Sequence, residues 1–281
     1  MQAVIYDLHM HSNASDGALP PDDLLELARA SGVDVASITD HDTVAAYERI
    51  DSARHSGLRI VPGIELSTTW QGRSIHVVGL GIDPASAAMT GAVRVQAGAR
   101  LERARKIGER LDRLGVPNSF QSALDIADGA VIGRPHFAAH LVNTGFVRDA
   151  RTAFRKYLGN GKPGDVRCSW PDLERVVRWI RDAGGTAVVA HPSKYGLTMT
   201  KLRALLSDFA GHGGRGIEVA CGLQAPALTR KLGTLAQDLG LLASTGSDFH
   251  QPGNAWSRPG LFDPLPRNVT PIWEQWTTTC A

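Results

Sequence analysis

Ten histidines occur in the 281 residues, and two of them stand two positions apart in "DLHMHSNASDG", Asp7 to Gly17. In an extended strand, residues i and i+2 share a face, so His9 and His11 lie side by side, close enough to serve one metal ion. Asp16, on the loop that follows, can reach a neighbouring ion. Similar residues end the later β-prone runs: His41 in "SITDHDT", Glu65 in "PGIELS", His76 in "SIHVVGLG", His191 in "AHP", and Asp248 with His250 in "TGSDFH". The sixth run ends near Glu218. Each feature alone has an ordinary reading, such as a hydrogen-bonded histidine pair, a buried polar residue, or a helix cap at Asp42 and Thr43. Their joint placement at strand ends points instead to one shared site. Mixed imidazole and carboxylate ligation suits Zn, Fe or Mn better than Mg or Ca alone. The ligands outnumber what one ion can use, so two or three ions are expected, with Glu65 as the natural bridge.

The elements that must position these residues alternate short β-prone runs with amphipathic helical segments. The runs are "AVIYDLHMH", "DVASITDHD", "LRIVPGIEL", "SIHVVGLG", "GTAVVAHP", "GIEVACG" and "LLASTGSDFH". Helices are expected at "PDDLLELARAS" and at "TVAAYERIDSARHS", each stopped by glycine. Near-continuous apolar strands joined by helical crossovers imply a parallel sheet covered on both faces, and seven of them suggest an α/β closed barrel. Strand carboxyl ends on a barrel face one site. Residues 90–170 contain helices but no convincing strand, which is too long for a crossover and reads as a helical insertion. The expected division is therefore a barrel of residues 1–89 and 171–281 with a cap of residues 90–170. A Pro-rich tail after His250 is expected to be pinned by Trp256, Trp273 and Trp276.

Net charge is only +2, which excludes a global nucleic-acid or membrane field. Residues 90–170 nevertheless carry 14 Lys or Arg against 7 Asp or Glu, so the cap is basic and the frame acidic. Three widely separated cysteines, Cys168, Cys221 and Cys280, argue for a reducing compartment, and no segment reads as a signal or membrane span. A cytoplasmic protein is expected.

In order and content, the motifs resemble those of the polymerase and histidinol phosphatase (PHP) family of metal-dependent phosphoesterases. The resemblance implies a distorted seven-stranded (β/α) barrel with up to three metal ions, manganese first, then zinc or iron. Carried over by position, His9, His11, Glu65 and Asp248 form one site, Glu65, His76 and His191 a second, and Asp16, His41 and His250 a third. Asp7, Asp40 and Asp42 then orient the ligands. Within the family, "GRPHFA" (133–138) and the basic insertion are similar to the branch containing nucleoside 3′,5′-bisphosphate phosphatases and short-RNA exonucleases. Arg134 offers a planar fork for phosphate oxygens and His136 a second donor, at the start of a helix whose free amides face the same way. Lys156, Lys162, Arg148 and Arg151 add positive potential or form a solvated face. Phe137, Phe146, Phe154 and Tyr157 are the candidate base platforms.

The expected reaction is hydrolysis of a phosphomonoester, with water attacking phosphorus in line. The 3′-phosphate of a nucleoside 3′,5′-bisphosphate is the preferred target, while Arg134 and His136 hold the phosphate that is not cleaved. Alternatives are 5′-3′ exonuclease action on short oligonucleotides, histidinol phosphatase activity, amide hydrolysis, and a metal or nucleotide sensor without turnover. No membrane or obligatory protein partner is implied.

Overall fold

The computed structural model describes residues 4–166, 170–253 and 257–277. Cys168, Cys280 and Trp256 lie outside them. In chain order the elements are β1 (Tyr6–Met10), α1 (Pro21–Ala30), β2 (Val35–Ile38), β3 (Arg59–Ile60), β4 (Gly63–Trp70), β5 (Arg73–Leu80), α2 (Ala87–Arg113), α3 (Ser119–Ala127), α4 (Arg134–Asn143) and α5 (Ala150–Ala153). Then come α6 (Leu173–Asp182), β6 (Thr186–Val189), α7 (Met199–Gly211), β7 (Gly216–Cys221), α8 (Pro226–Asp238), β8 (Leu242–Gly246) and α9 (Glu274–Thr277).

The strands form two sheets, β1-β2-β3 and β4-β5-β6-β7-β8, rather than one closed ladder. The expected third strand breaks at Val61-Pro62, because proline has no N–H to donate to a ladder. Arg59 and Ile60 pair with β2, and Gly63 onward pairs with β5. The sheets meet through single bridges, Met10 to Phe249 at the carboxyl ends of β1 and β8, and His41, just after β2, to Glu65 near the start of β4. There the His11 amide donates to the Phe249 carbonyl at 2.8 Å and the Asp42 amide to the Glu65 carbonyl at 2.8 Å.

Two further expectations give way. The sheet is not all parallel: β4 and β5 form an antiparallel hairpin, and β5 and β6 are also antiparallel. Gln71 (φ 46°) and Gly72 (φ 73°) turn the hairpin with positive φ at both central positions, which matches the twist of its strands. Residues 43–56 are not one α-helix but two short 3₁₀ turns, Ala45–Glu48 and Ser52–His55. Tertiary contacts override the helical pattern there. The Tyr47 hydroxyl donates to the Ile38 carbonyl (2.6 Å) and accepts the Gly63 amide (2.7 Å), while His55 Nε2 meets Asp22 at 2.7 Å.

α1 follows its sequence signals, with Pro21 first, Asp22 and Asp23 in the opening turn, and Leu24, Leu25 and Ala28 buried against the first sheet. α6, α7 and α8 cover the second sheet. Val176, Val177 and Ile180 of α6 are fully buried, each stabilising by about 1.5–3 kcal/mol relative to exposure. Residues between Ala104 and Val166 have a hydrophobic cluster of their own, around Phe137 and Leu141. Tyr6 stacks on Trp273 with ring centroids 4.0 Å apart, and Arg59 lies over Trp276, so these two residues do pin the tail. No helix among the described residues is long and apolar enough to cross a membrane.

Candidate metal centre and phosphate site

β1 places His9 and His11 on one face, both fully buried, with Nε2 atoms 3.0 Å apart. Leu8 and Met10 point the other way into the core. Asp40 shapes the next loop: its carboxylate accepts the Ser12 amide (2.8 Å), the Ser12 hydroxyl (2.6 Å) and the Ser15 hydroxyl (2.5 Å). That loop delivers Asp16 to within 3.4 Å of His250 and 3.8 Å of His11 and His41.

The hairpin supplies Glu65 and His76 together. Ser67 lies opposite His76 in register, so Glu65, two residues before it, shares their face as a diagonal neighbour. Glu65 Oε1 is 2.9 Å from His76 Nδ1 and 2.8 Å from His191 Nε2. Its Oε2 lies 3.0 Å from His41 Nδ1 and 3.3 Å from both His9 and His11 Nε2. His191 (φ 25°) and Asp248 (φ 51°) follow β6 and β8 in left-handed backbone, a strain that surrounding structure must hold in place.

Burial and charge pull these groups apart. Burial would lower the His11 imidazole, but the Asp248 and Glu65 carboxylates, 3.3 Å from its Nε2, lift it to about 10. His9 is likewise raised by Glu218, Glu65 and Asp248 against the effect of burial. Burial dominates at His41, which falls to about 4, and at His191, which is also lowered. Glu65, Asp16 and Asp248 are held well below the usual carboxylate range despite burial, by the imidazoles around Glu65 and Asp16 and chiefly by Lys194 at Asp248.

This chemistry fits a polynuclear cation site. Glu65 Oε2, His11 Nδ1, His41 Nδ1 and His191 Nδ1 are buried and make no aligned hydrogen bond, although Glu65 Oε2 and His41 Nδ1 are only 3.0 Å apart. Orphaned donors and acceptors at that depth are costly, and a divalent ion would satisfy such lone pairs. Four overlapping groups have ligand atoms within 4.8 Å of one another: His9, His11, Asp248; His9, Glu65, His191; His41, Glu65, His76; and His11, Asp16, His41, His250. All nine sequence-derived ligand candidates are thus brought together, with Glu65 in two groups.

The three aspartates expected to orient the ligands instead hold the amides, hydroxyls and guanidinium beside the site: Asp40 the Ser12 and Ser15 groups, and Asp42 Arg100 as well as Ser67. Asp7 accepts the Ser247 and Gly260 amides (2.8 Å each), and Asp42 accepts the Ser67 amide (2.7 Å) and hydroxyl (2.8 Å). Ring orientation falls to Glu218, whose Oε1 lies 2.7 Å from His9 Nδ1 and whose Oε2 accepts the His191 amide at 2.5 Å. Its position at the end of the sixth β-run was the signal for it.

A cavity of about 550 Å³ opens over the cluster, reaching Asp16, His41, His76, His191, Asp248 and His250. Gly133, Arg134 and Pro135 line it at the start of α4. Arg134 is half-buried, with long contacts to the Leu158 carbonyl (3.4 Å) and Asn160 (3.5 Å). Burial lowers the His136 imidazole, and its Nδ1 accepts the Gly133 amide at 3.0 Å, which leaves Nε2 as its donor. Lys156, Lys162, Arg148 and Arg151 are exposed and form the solvated face. The positive lining comes from Arg73, Arg100, Arg103 and Lys194. Sequence reading missed these because their approach depends on tertiary packing. Arg100 leaves α2 buried to meet Asp42 at 2.5 Å, and Lys194 pairs with Asp248.

Known proteins resemble this chain in sequence and fold. The PHP domain family matches residues 7–111. A 3′,5′-nucleoside bisphosphate phosphatase of Chromobacterium violaceum is 43% identical over 96% of this chain and 95% of its own. A 5′-3′ exoribonuclease of Haemophilus influenzae is 41% identical over 96% of this chain and 98% of its own. A solved Chromobacterium violaceum structure, described as an amidohydrolase with bound sulfate and no metal, has a TM-score of 0.89 and 41% identity, covering 98% of this chain and 96% of its own. The chain belongs to the PHP-domain family. It is an enzyme, a metal-dependent phosphoesterase.

Proposed function

We propose that the protein hydrolyses the 3′-phosphate of a nucleoside 3′,5′-bisphosphate, releasing phosphate and a 5′-mononucleotide. The observation that carries this reading is one cavity with two anion-attracting ends, the histidine and carboxylate cluster and the guanidinium of Arg134. A substrate with two phosphates fits both at once. His9, His11 and Asp248, with Glu65 and His191, would hold one or two ions. His41, Glu65 and His76, with Asp16 and His250, would hold the rest, manganese first and zinc or iron as alternatives. Divalent ions, when bound, would lower the pKa of water so that hydroxide is available to attack phosphorus, and would neutralise the charge of the transferring phosphoryl group.

The chain's own residues orient the reaction. Arg134 and the Nε2–H of His136 hold the 5′-phosphate, so remote binding energy places the 3′-phosphorus. Glu218 and the left-handed His191 fix the ligand rings before substrate arrives. We read the two sheets together as one distorted barrel, built from residues 1–89 and 171–281, and residues 90–170 as its cap. Cys221, unpaired, suits a reducing cytoplasm.

A second reading, removal of 5′ nucleotides from short RNA, is favoured by the exoribonuclease relative and by the further lining of the same cavity at Phe154, Asn160, Gly161 and Trp170. Metal-reconstituted protein given adenosine 3′,5′-bisphosphate and a short 5′-phosphorylated RNA separates the two. Phosphate release from the first, exceeding mononucleotide release from the second, is expected. Turnover of RNA alone would replace the first reading by the second, and turnover of neither would remove both.

A further inference from the structure

Residues 100–170 supply much of the cavity's lining, with Arg100, Arg103, Phe154, Asp165 and Trp170 beside Arg134. Of the four candidate platforms, Phe137 is buried in the local core and Phe146 packs on Tyr157 with centroids 5.1 Å apart. Phe154 lines the cavity. It opens a π-helical turn, Phe154–Leu158, closed by the Gly159 amide donating to the Phe154 carbonyl at 2.8 Å. A Cβ at Gly159 would lie 2.6 Å from that carbonyl oxygen, so only glycine lets the turn close so tightly. Such turns are rare and recur at functional sites.

A second aromatic, Trp170, lines the same cavity. The Arg100 and Arg103 guanidinium carbons lie 5.5 and 5.7 Å from its ring centroid, and Arg103 Nε donates to the Val166 carbonyl at 3.3 Å. Trp170 therefore braces two planar cations on the cavity wall. Trp170 is buried under these guanidinium groups, whereas Phe154 is only half-buried, packed in part on the local core, and lines the cavity, where an aromatic ring can stack on a base. Metal ligands and Arg134 engage phosphates alone, so a nucleotide bound there must still seat its base.

We propose that Phe154 is the stacking platform for the nucleobase of the substrate, with Trp170 and Arg103 shaping the same pocket. This rests on the nucleotide reading above. It makes the base, and not only the two phosphates, a determinant of specificity.

The test compares wild type with Phe154→Leu and Phe154→Tyr on adenosine 3′,5′-bisphosphate and on its abasic counterpart, 1-deoxyribose 3,5-bisphosphate. Calorimetric binding of adenosine 5′-monophosphate runs alongside, and circular dichroism checks the fold. Phe154→Leu should lower kcat/KM for the nucleoside substrate and the monophosphate affinity by about tenfold, the scale of base–aromatic stacking. Phe154→Tyr should restore both, and abasic turnover should not change. Equal losses on the two substrates, or no loss on either, would overturn the platform while leaving the phosphatase reading intact. If wild type turns over neither substrate, the phosphatase reading fails, and calorimetry still decides: equal affinity of wild type and Phe154→Leu overturns the platform too.

Discussion

His9 gives its Nδ1 side to Glu218, 2.7 Å away in a fully buried contact, which turns its Nε2 toward Glu65 and Asp248. A histidine fixed in this way is a better ligand, because its tautomer and plane are set before an ion arrives.

Replacing Glu218 with Gln keeps one acceptor for His9 but turns an NH₂ group toward the His191 amide. Affinity for the first divalent ion should fall about 10- to 100-fold, as losses of such supporting partners typically do. Manganese content after dialysis against graded free metal measures it, and full occupancy at wild-type concentrations would contradict the role.

The raised imidazoles predict an alkaline weakness in chelator-treated protein. His11 titrates near 6.5 in an unfolded chain and about 10 in the fold, so its contribution is fully present below pH 6.5 and is lost as pH rises toward 10. Bound ions replace those protons. The Tm of metal-free protein should therefore drop between pH 7 and pH 10 more steeply than that of loaded protein. Parallel curves would refute the assignment.

Arg134→Ala should lower kcat/KM for a nucleoside bisphosphate by about tenfold or more, the scale of a charge-assisted hydrogen bond, and barely alter that for a simple monoester. Steady-state kinetics on the pair of substrates reads the difference. Equal losses would exclude a remote phosphate anchor.

Gly246 lies against the ligand cluster: a Cβ there would stand 2.3 Å from His9 Cβ and 3.0 Å from Glu218 Oε1. Gly246→Ala should cost about 1–3 kcal/mol of stability by overpacking and, in addition, displace His9. Thermal unfolding with and without manganese tests this, since the stabilisation by metal should shrink along with the Tm.

His9 and His11 were legible because an i, i+2 spacing survives whatever the sheet does. Glu65 and His76 were expected at strand ends but lie inside β4 and β5, where the hairpin pairs them. Handedness of the sheet was not legible. The β4 to β5 turn uses Gln71-Gly72 in place of the Asn-Gly that marks such hairpins, so its antiparallel pairing left a weak trace. The segment 43–56 carried a helical period that Tyr47 and His55 overrule through contacts with Gly63 and Asp22, partners remote in sequence. Arg100 looked like one charge among many on a basic helix. Only its burial beside Asp42 and Ser67 separates it from the solvated face.

The parting of the sheets at Pro62 has a mechanical side. β1 and the segment after β2 bring His9, His11 and His41 from one sheet, while Glu65, His76, His191, Asp248 and His250 come from the other. Ions held among them would rivet a joint that the backbone crosses by isolated bridges. The divalent cations in the cell would then set how long the chain resists proteases as well as how fast it turns over.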